Sequence, residues 1–328
     1  MNNFIASHTL KGAMIRQLFL LIGPLLLSAC FHNGNAIQLP SQNYNSRVSV
    51  IVIHHTATNF EDAVNILTQP SSNSVSSHYL VPEPNDATYT DDKLKVFQLV
   101  PESQRAWHAG HSYWAGKTGL NDQSLGIEIV YESHCAQQDT TINADGEISS
   151  ASPEEIEQPK ALCFFPDFAE SQIDVLLGLL QDIKKRHPQI EPTNIVGHSD
   201  IAPSRKVDPG PRFPWQRLYK LGFGAWYDDA TVTRYWKRFI TAPLPLVNIQ
   251  KALHTYGYNI EETGILDEQT RHVLRAFQMH FYPSGVTSEP TLESTAILFA
   301  LIEKYRPLAL DDLLVIGDCH VDLSPEAC

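Results

Sequence analysis

Val48-Ser49-Val50-Ile51-Val52-Ile53-His54-His55 is a nearly unbroken apolar run that stops at two adjacent histidines. A strand with one face in water alternates apolar and polar residues. A run that is apolar almost throughout reads instead as a central strand buried on both faces. Two further strand candidates follow, Val96-Phe97-Gln98-Leu99-Val100 and Leu125-Gly126-Ile127-Glu128-Ile129-Val130. A helix is then expected with Ile173, Leu176, Leu177, Leu180 and Ile183 on one face, ending in Lys184-Lys185-Arg186-His187 before Pro188, where the helix dipole favours positive charge. A short strand, Asn194-Ile195-Val196-Gly197, delivers His198. Strands alternating with helix predict an α/β domain over residues 47–240. Residues 133–160, rich in Ser, Glu and Asp and without periodicity, read as an inserted loop.

Beyond the linker Ala242-Pro243-Leu244-Pro245, three helical patterns predict a small all-α domain over residues 241–306: Val247 to Tyr256, Asp267 to Phe281 and Glu289 to Tyr305. Residues 307–328 form a tail. A chain of 328 residues suits about two such domains. With 24 Lys+Arg against 37 Asp+Glu, a net charge of −13 and no basic block, it is a poor candidate for nucleic-acid binding, whose phosphate contacts need Lys and Arg on one face.

The apolar run at residues 18–27, preceded by Lys11 and Arg16, falls short of the ~20 residues of a membrane span and reads as a secretory signal over residues 1–29. Leu27-Ser28-Ala29-Cys30 resembles the lipobox of bacterial lipoproteins. That resemblance implies an acylated Cys30 followed by a tether over residues 30–46. Phe31, in place of Asp, implies sorting to the outer membrane of a Gram-negative bacterium, facing the periplasm. Of the five cysteines, Cys135, Cys163, Cys319 and Cys328 then remain in an oxidising compartment. They allow three pairings, the most local being Cys135–Cys163 with Cys319–Cys328.

The candidate chemistry gathers at strand ends. His54 or His55, His198 and Asp208, in Arg205-Lys206-Val207-Asp208-Pro209-Gly210-Pro211, are the residue types of a catalytic zinc site, two imidazoles and a carboxylate with a position left for water. A single histidine at a strand end is more often a hydrogen-bonded structural residue than a ligand, and these positions form no short-range signature. Glu128 lies within a strand that otherwise reads as buried; such a carboxylate carries a raised pKa suited to general acid–base work, unless the strand is an edge and Glu128 faces solvent. Lys206 offers a positive charge for a developing oxyanion, or is a solvated surface lysine.

Taken together, Val52-Ile53-His54-His55-Thr56-Ala57, Ser76-Ser77-His78-Tyr79-Leu80-Val81, Ala106-Trp107-His108-Ala109-Gly110, Asn121 to Glu128 and Gly197-His198-Ser199-Asp200-Ile201-Ala202-Pro203 resemble the zinc-dependent N-acetylmuramoyl-L-alanine amidases of the amidase-2 type. Within that family the likeness is to outer-membrane lipoprotein amidases. The resemblance spans residues 48–220 and implies a central mixed β-sheet flanked by helices. It implies Zn2+ on His54, His198 and Asp208, with Glu128 as general base and Lys206 as oxyanion stabiliser. It further implies that His78, Trp107 and His108 line the substrate cleft. The implied reaction is hydrolysis of the amide between N-acetylmuramic acid and L-alanine in peptidoglycan or muropeptides. A zinc peptidase acting within the stem peptide and a non-catalytic peptidoglycan-recognition lipoprotein are the alternatives. Thr263 to Thr270 with Leu274-Arg275-Ala276-Phe277-Gln278 resemble a three-helix peptidoglycan-binding domain.

Overall fold

Val50–His55 is strand β1, buried at all six positions. The computed structural model describes residues 39, 41–43, 46–72, 74–136, 141, 142, 148, 149, 162–316, 319 and 320; at 134–136, 141, 142, 148, 149, 162, 163, 316, 319 and 320 it describes the backbone alone. The signal, Cys30 and Cys328 lie outside the described residues.

The chain continues through helix α1 (Phe60–Thr68), β2 (Tyr79–Val81), β3 (Phe97–Gln98) and the hairpin of β4 (Tyr113–Trp114) and β5 (Lys117–Thr118). After these come β6 (Ser124–Ile129), β7 (His134–Ala136), β8 (Thr141–Ile142), β9 (Ile148–Ser149), β10 (Leu162–Phe164), α2 (Glu170–Arg186) and β11 (Ile195–Gly197). The main sheet has the order β11-β1-β6-β2-β3; its first four strands run parallel and β3 runs antiparallel to β2. This is the mixed sheet expected from the motifs. Covered on both faces and flanked on both edges, β1 is apolar because no position along it reaches water.

Helix α2 follows its expected stripe: Ile173, Leu176, Leu177, Leu180 and Ile183 enter the core that contains Val50 to Ile53. Its N-cap, Ala169, supplies no side-chain hydrogen bond, which forgoes about 1 kcal/mol. Each buried aliphatic side chain contributes about 1.5–3 kcal/mol, so burial decides this helix. Gln172 locks it to the sheet, donating to Val130 O (2.8 Å) and Pro82 O (3.1 Å).

The inserted segment departs from a bare loop. Its stems pair as the antiparallel β7–β10 ladder, with Cys163 directly opposite Cys135, and β8 pairs with β9. Strands of two or three residues leave no periodic trace in sequence, which is why the segment reads as loop.

The C-terminal helices are α6 (Leu246–Tyr256), α7 (Glu268–Phe281) and α8 (Leu292–Tyr305), preceded by α3 (His198–Ile201), α4 (Trp215–Lys220) and α5 (Asp229–Thr241) and followed by α9 (Leu310–Leu313). Asp267 and Thr291 cap α7 and α8 by accepting from Thr270 N and Ser294 N. Helix α5 packs on this bundle: Tyr235 and Phe239 meet Phe299, and Arg234 pairs with Glu303. The α/β part and the helices share one hydrophobic core. Buried Asp200 joins them, accepting from Gly197 N (2.7 Å), Tyr258 Oη (2.6 Å) and His280 Nδ1 (2.7 Å).

Glu102 gathers Tyr79 Oη (2.6 Å), Arg186 Nη2 (2.8 Å) and His187 Nε2 (2.9 Å), tying the end of α2 to β2. Burial alone would raise its carboxyl, but the hydrogen bonds from Arg186, Tyr79 and His187 bring it down to about 2. A carboxylate depressed in the folded state stabilises above its unfolded pKa, and that contribution fades as pH falls from about 4.5 to about 2. Glu102→Gln is therefore expected to lower the urea midpoint at pH 7, with the gap to the parent closing as pH drops towards 2. A gap independent of pH would show that the charge of Glu102 contributes nothing.

Candidate active site

Strand register builds the site. In the parallel β1–β6 pair His54 stands opposite Glu128, and in β1–β11 Ile53 stands opposite Gly197, the residue before His198. Three candidate residues thus meet at the carboxyl ends of parallel strands, where α/β sheets place their ligand crevices. His198 opens α3, and Ser199 N donates to Asp208 O (2.8 Å), bringing the carboxylate-bearing loop alongside.

The donor atoms converge. His54 Nδ1 lies 2.9 Å from His198 Nδ1, and Asp208 Oδ2 lies 3.2 Å from the former and 3.1 Å from the latter. Two ring nitrogens of the same kind, facing each other beside one carboxylate oxygen, make a poor hydrogen-bonding frame but a suitable face for one cation. These residues, all buried, are a group that could hold a metal ion, and their donor set matches three-ligand catalytic zinc. Burial, with His198 nearby, lowers His54 to about 4, so its imidazole is neutral at ordinary pH. Burial would raise Asp208, yet the imidazoles of His198 and His54 hold it well below the usual carboxylate range.

Tertiary contacts separate the adjacent histidines. His55 donates from Nδ1 to Pro209 O (3.2 Å) and accepts at Nε2 from Ser133 Oγ (3.1 Å). Both its nitrogens are occupied, and the candidate metal ligand is His54.

Glu128 and Lys206 line the same pocket, a cavity of about 200 Å³ that also includes Trp107 and His108. Glu128 is half-buried, and its Oε2 is buried without a hydrogen-bond partner. Burial, reinforced by Asp208 and opposed by Lys206, pushes its carboxyl up to about 8. A partnerless, proton-retaining carboxyl beside the ligand cluster suits proton transfer.

The expected substrate contacts divide. Trp107 is half exposed on the pocket rim. His108 lines the pocket but is 8% exposed, with Nδ1 on His54 Nε2 (3.0 Å) and Nε2 on Ser124 Oγ (3.1 Å). His78 does not line this pocket: it is fully buried, Nδ1 accepts from Gly126 N (3.0 Å) and Nε2 donates to Gln104 O (3.2 Å). Its ring braces neighbouring backbone, a correction to the cleft position implied by the motifs. Ile66 and Val75, 52% and 43% exposed, form an apolar wall of the pocket that the motif reading misses. The available signal is an isoleucine off the face of α1 that buries Ala63 and Leu67.

Comparison with known proteins places this geometry. A family model described as N-acetylmuramoyl-L-alanine amidase matches residues 44–211, and one described as a putative peptidoglycan binding domain matches residues 245–294. The N-acetylmuramoyl-L-alanine amidase AmiD of Escherichia coli strain K12 is 37% identical over 302 residues, 89% of this chain and 99% of that protein. The structure of AmpDh3 from Pseudomonas aeruginosa in complex with anhydromuramic pentapeptide is similar, with a TM-score of 0.70 and 41% identity over 83% of this chain and 97% of that one. So is E. coli AmiD in complex with the substrate anhydro-N-acetylmuramic acid-L-Ala-D-gamma-Glu-L-Lys, with a TM-score of 0.65 and 38% identity over 82% and 93% of the two chains. The match of fold and sequence over most of the chain, with the clustered residues in the expected motifs, establishes that this chain belongs to the N-acetylmuramoyl-L-alanine amidase family, enzymes that hydrolyse the amide between N-acetylmuramic acid and L-alanine.

Proposed function

We propose that this amidase works with zinc held by His54, His198 and Asp208, and that muropeptides, anhydro forms included, are among its substrates. The observation that carries the reading is the convergence of His54 Nδ1, His198 Nδ1 and Asp208 Oδ2 within 2.9–3.2 Å of one another, in a pocket shared with Glu128 and Lys206. Zinc bound there supplies Lewis acidity, favouring ionisation of water and polarising the scissile carbonyl. Glu128, in its ionised form, takes a proton from the attacking water as the water oxygen bonds to the carbonyl carbon. It returns that proton to the L-alanine nitrogen as the carbon–nitrogen bond breaks. The Lys206 ammonium offsets the negative charge that develops on the carbonyl oxygen. Trp107, Ile66 and Val75 give the substrate an apolar wall.

The test is digestion of purified sacculi and soluble muropeptides, with and without a chelator, followed by mass analysis. Whole stem peptides with an N-terminal L-alanine are expected, with activity lost to the chelator and restored by zinc. Cuts within the stem would support a peptidase instead. Glu128→Gln is expected to retain about one zinc per chain while kcat falls about 10²–10⁴-fold. Lys206→Ala is expected to lower kcat about 10²–10³-fold. A Glu128→Gln enzyme with parental turnover would remove Glu128 from the chemistry.

We propose further that Cys30 is acylated and holds the enzyme at the outer membrane, facing the periplasm. Support comes from the Leu27-Ser28-Ala29-Cys30 motif after its apolar run. Among the described residues no helix is long and apolar enough to cross a membrane. Radiolabelled palmitate is expected to label the parent and not Cys30→Ala, which should leave the membrane fraction. The C-terminal helices are proposed to contact glycan, supported by the family match over residues 245–294.

A further inference from the structure

Behind the ligand cluster a chain of hydrogen bonds runs away from the pocket. Ser124 Oγ donates its one proton to the carbonyl of Leu120 (2.6 Å), an atom that can only accept. Towards His108 Nε2, at 3.1 Å, Ser124 therefore presents a lone pair, and Nε2 must carry the hydrogen. A neutral His108 then has an unprotonated Nδ1, which accepts from His54 Nε2 at 3.0 Å. With its proton on Nε2, His54 turns the Nδ1 lone pair towards His198 and Asp208. His198 reaches the same state independently, because its Nε2 faces another pure acceptor, the carbonyl of Ala109, at 3.4 Å.

The arrangement is built into the sheet. Ser124, His108 and His54 are all buried. Gly126 leaves the space the His108 ring fills: a Cβ there would lie 2.4 Å from His108 Cγ. The backbone of His108 is fixed by Asn121, whose Oδ1 accepts from His108 N (3.0 Å) and Ala109 N (2.8 Å). Any side chain at position 126 would push the ring off its two partners.

We infer that His108 and Ser124 are positioning residues that fix the tautomer of His54, holding its Nδ1 lone pair ready for the metal. The inference rests on the proposed metal site, and it gives His108 a role other than the substrate contact implied by its motif. Free imidazole exchanges between tautomers; here the wrong one would put a hydrogen on Nδ1, bind it to Asp208 and close the site. Outer partners of this kind are worth roughly 10–100-fold in metal affinity.

The primary test is nitrogen-15 NMR of the metal-stripped parent with labelled histidines, His54 being assigned by its loss in His54→Gln. The expected result is a protonated Nε2 and an unprotonated Nδ1, with both tautomers populated in Ser124→Ala. Zinc affinity, measured by competition with a chromophoric chelator, is expected to weaken tenfold or more in His108→Leu. His108→Gln, whose amide can accept from His54 and donate to Ser124, should stay within about threefold of the parent. A hydrogen on Nδ1 of His54 in the parent overturns the inference. So does parental zinc affinity in a folded His108→Leu. If His108→Leu does not fold, the parent and Ser124→Ala spectra decide the matter alone. A parent that binds no zinc would defeat the metal reading and leave the tautomer result standing on its own.

Discussion

The site depends on the parallel pairing of β1 with β6 on one side and β11 on the other. Side chains opposite one another in adjacent strands share a face of the sheet, so the register that sets His54 against Glu128 places the candidate ligand and the proposed proton carrier together. The same register sets Ile53 against Gly197, so the chain leaves β11 at His198 just beside His54, near the end of its strand. A slip of one residue in either pairing would turn His54 inward and bring His55 out. What prevents the slip is the apolar run itself: Val50 to Ile53, with Leu125, Ile127 and Ile129, are fully or almost fully buried, and shifting them would expose or misplace several side chains at once.

The charged groups at the pocket coexist because of how burial acts on each. Burial favours neutral forms, and it keeps His54 neutral and Glu128 protonated well above the ordinary range. Asp208 lies among the same groups, its Oδ2 3.2 Å from His54 Nδ1 and 3.1 Å from His198 Nδ1. One pocket thus holds a carboxylate fit to bind a cation and a carboxyl fit to carry a proton. The hydrogen-bond chain through His108 and Ser124 belongs to the same economy, since each buried polar atom in it finds a partner and the direction of every bond is dictated by the carbonyl at its end.

The C-terminal helices are bound into this arrangement. Asp200, two residues past His198, is gripped by Tyr258 and His280, and the His280 ring stacks on Trp215 at 3.9 Å. Arg275 of α7 donates to Pro203 O (2.9 Å), on the loop leading to Asp208. The helical part therefore rests directly on the segment that carries two of the three candidate ligands.

Much of the fold was legible in the sequence because its signals are local. The apolar run gave β1, the five-residue stripe gave α2, and the three helical patterns after the linker gave α6, α7 and α8. The motifs named the family and the candidate residues for its chemistry. Other features were illegible because they exist only between distant segments. β2 is three residues long, α5 owes its place to Phe299 and Glu303, and the β7–β10 stems carry no periodicity. Composition and spacing left His54 and His55 equivalent; what separates them is that Pro209 O and Ser133 Oγ claim one ring while Asp208 and His198 face the other. His78 and His108 look alike in their motifs, and only packing shows one bracing Gly126 and Gln104 and the other backing His54. The sequence by itself determined which residue types meet at the strand ends, since burial pattern is written along the chain. Which atom of each faces the pocket was left to the tertiary structure, because hydrogen-bond direction depends on partners that folding alone brings within 3 Å.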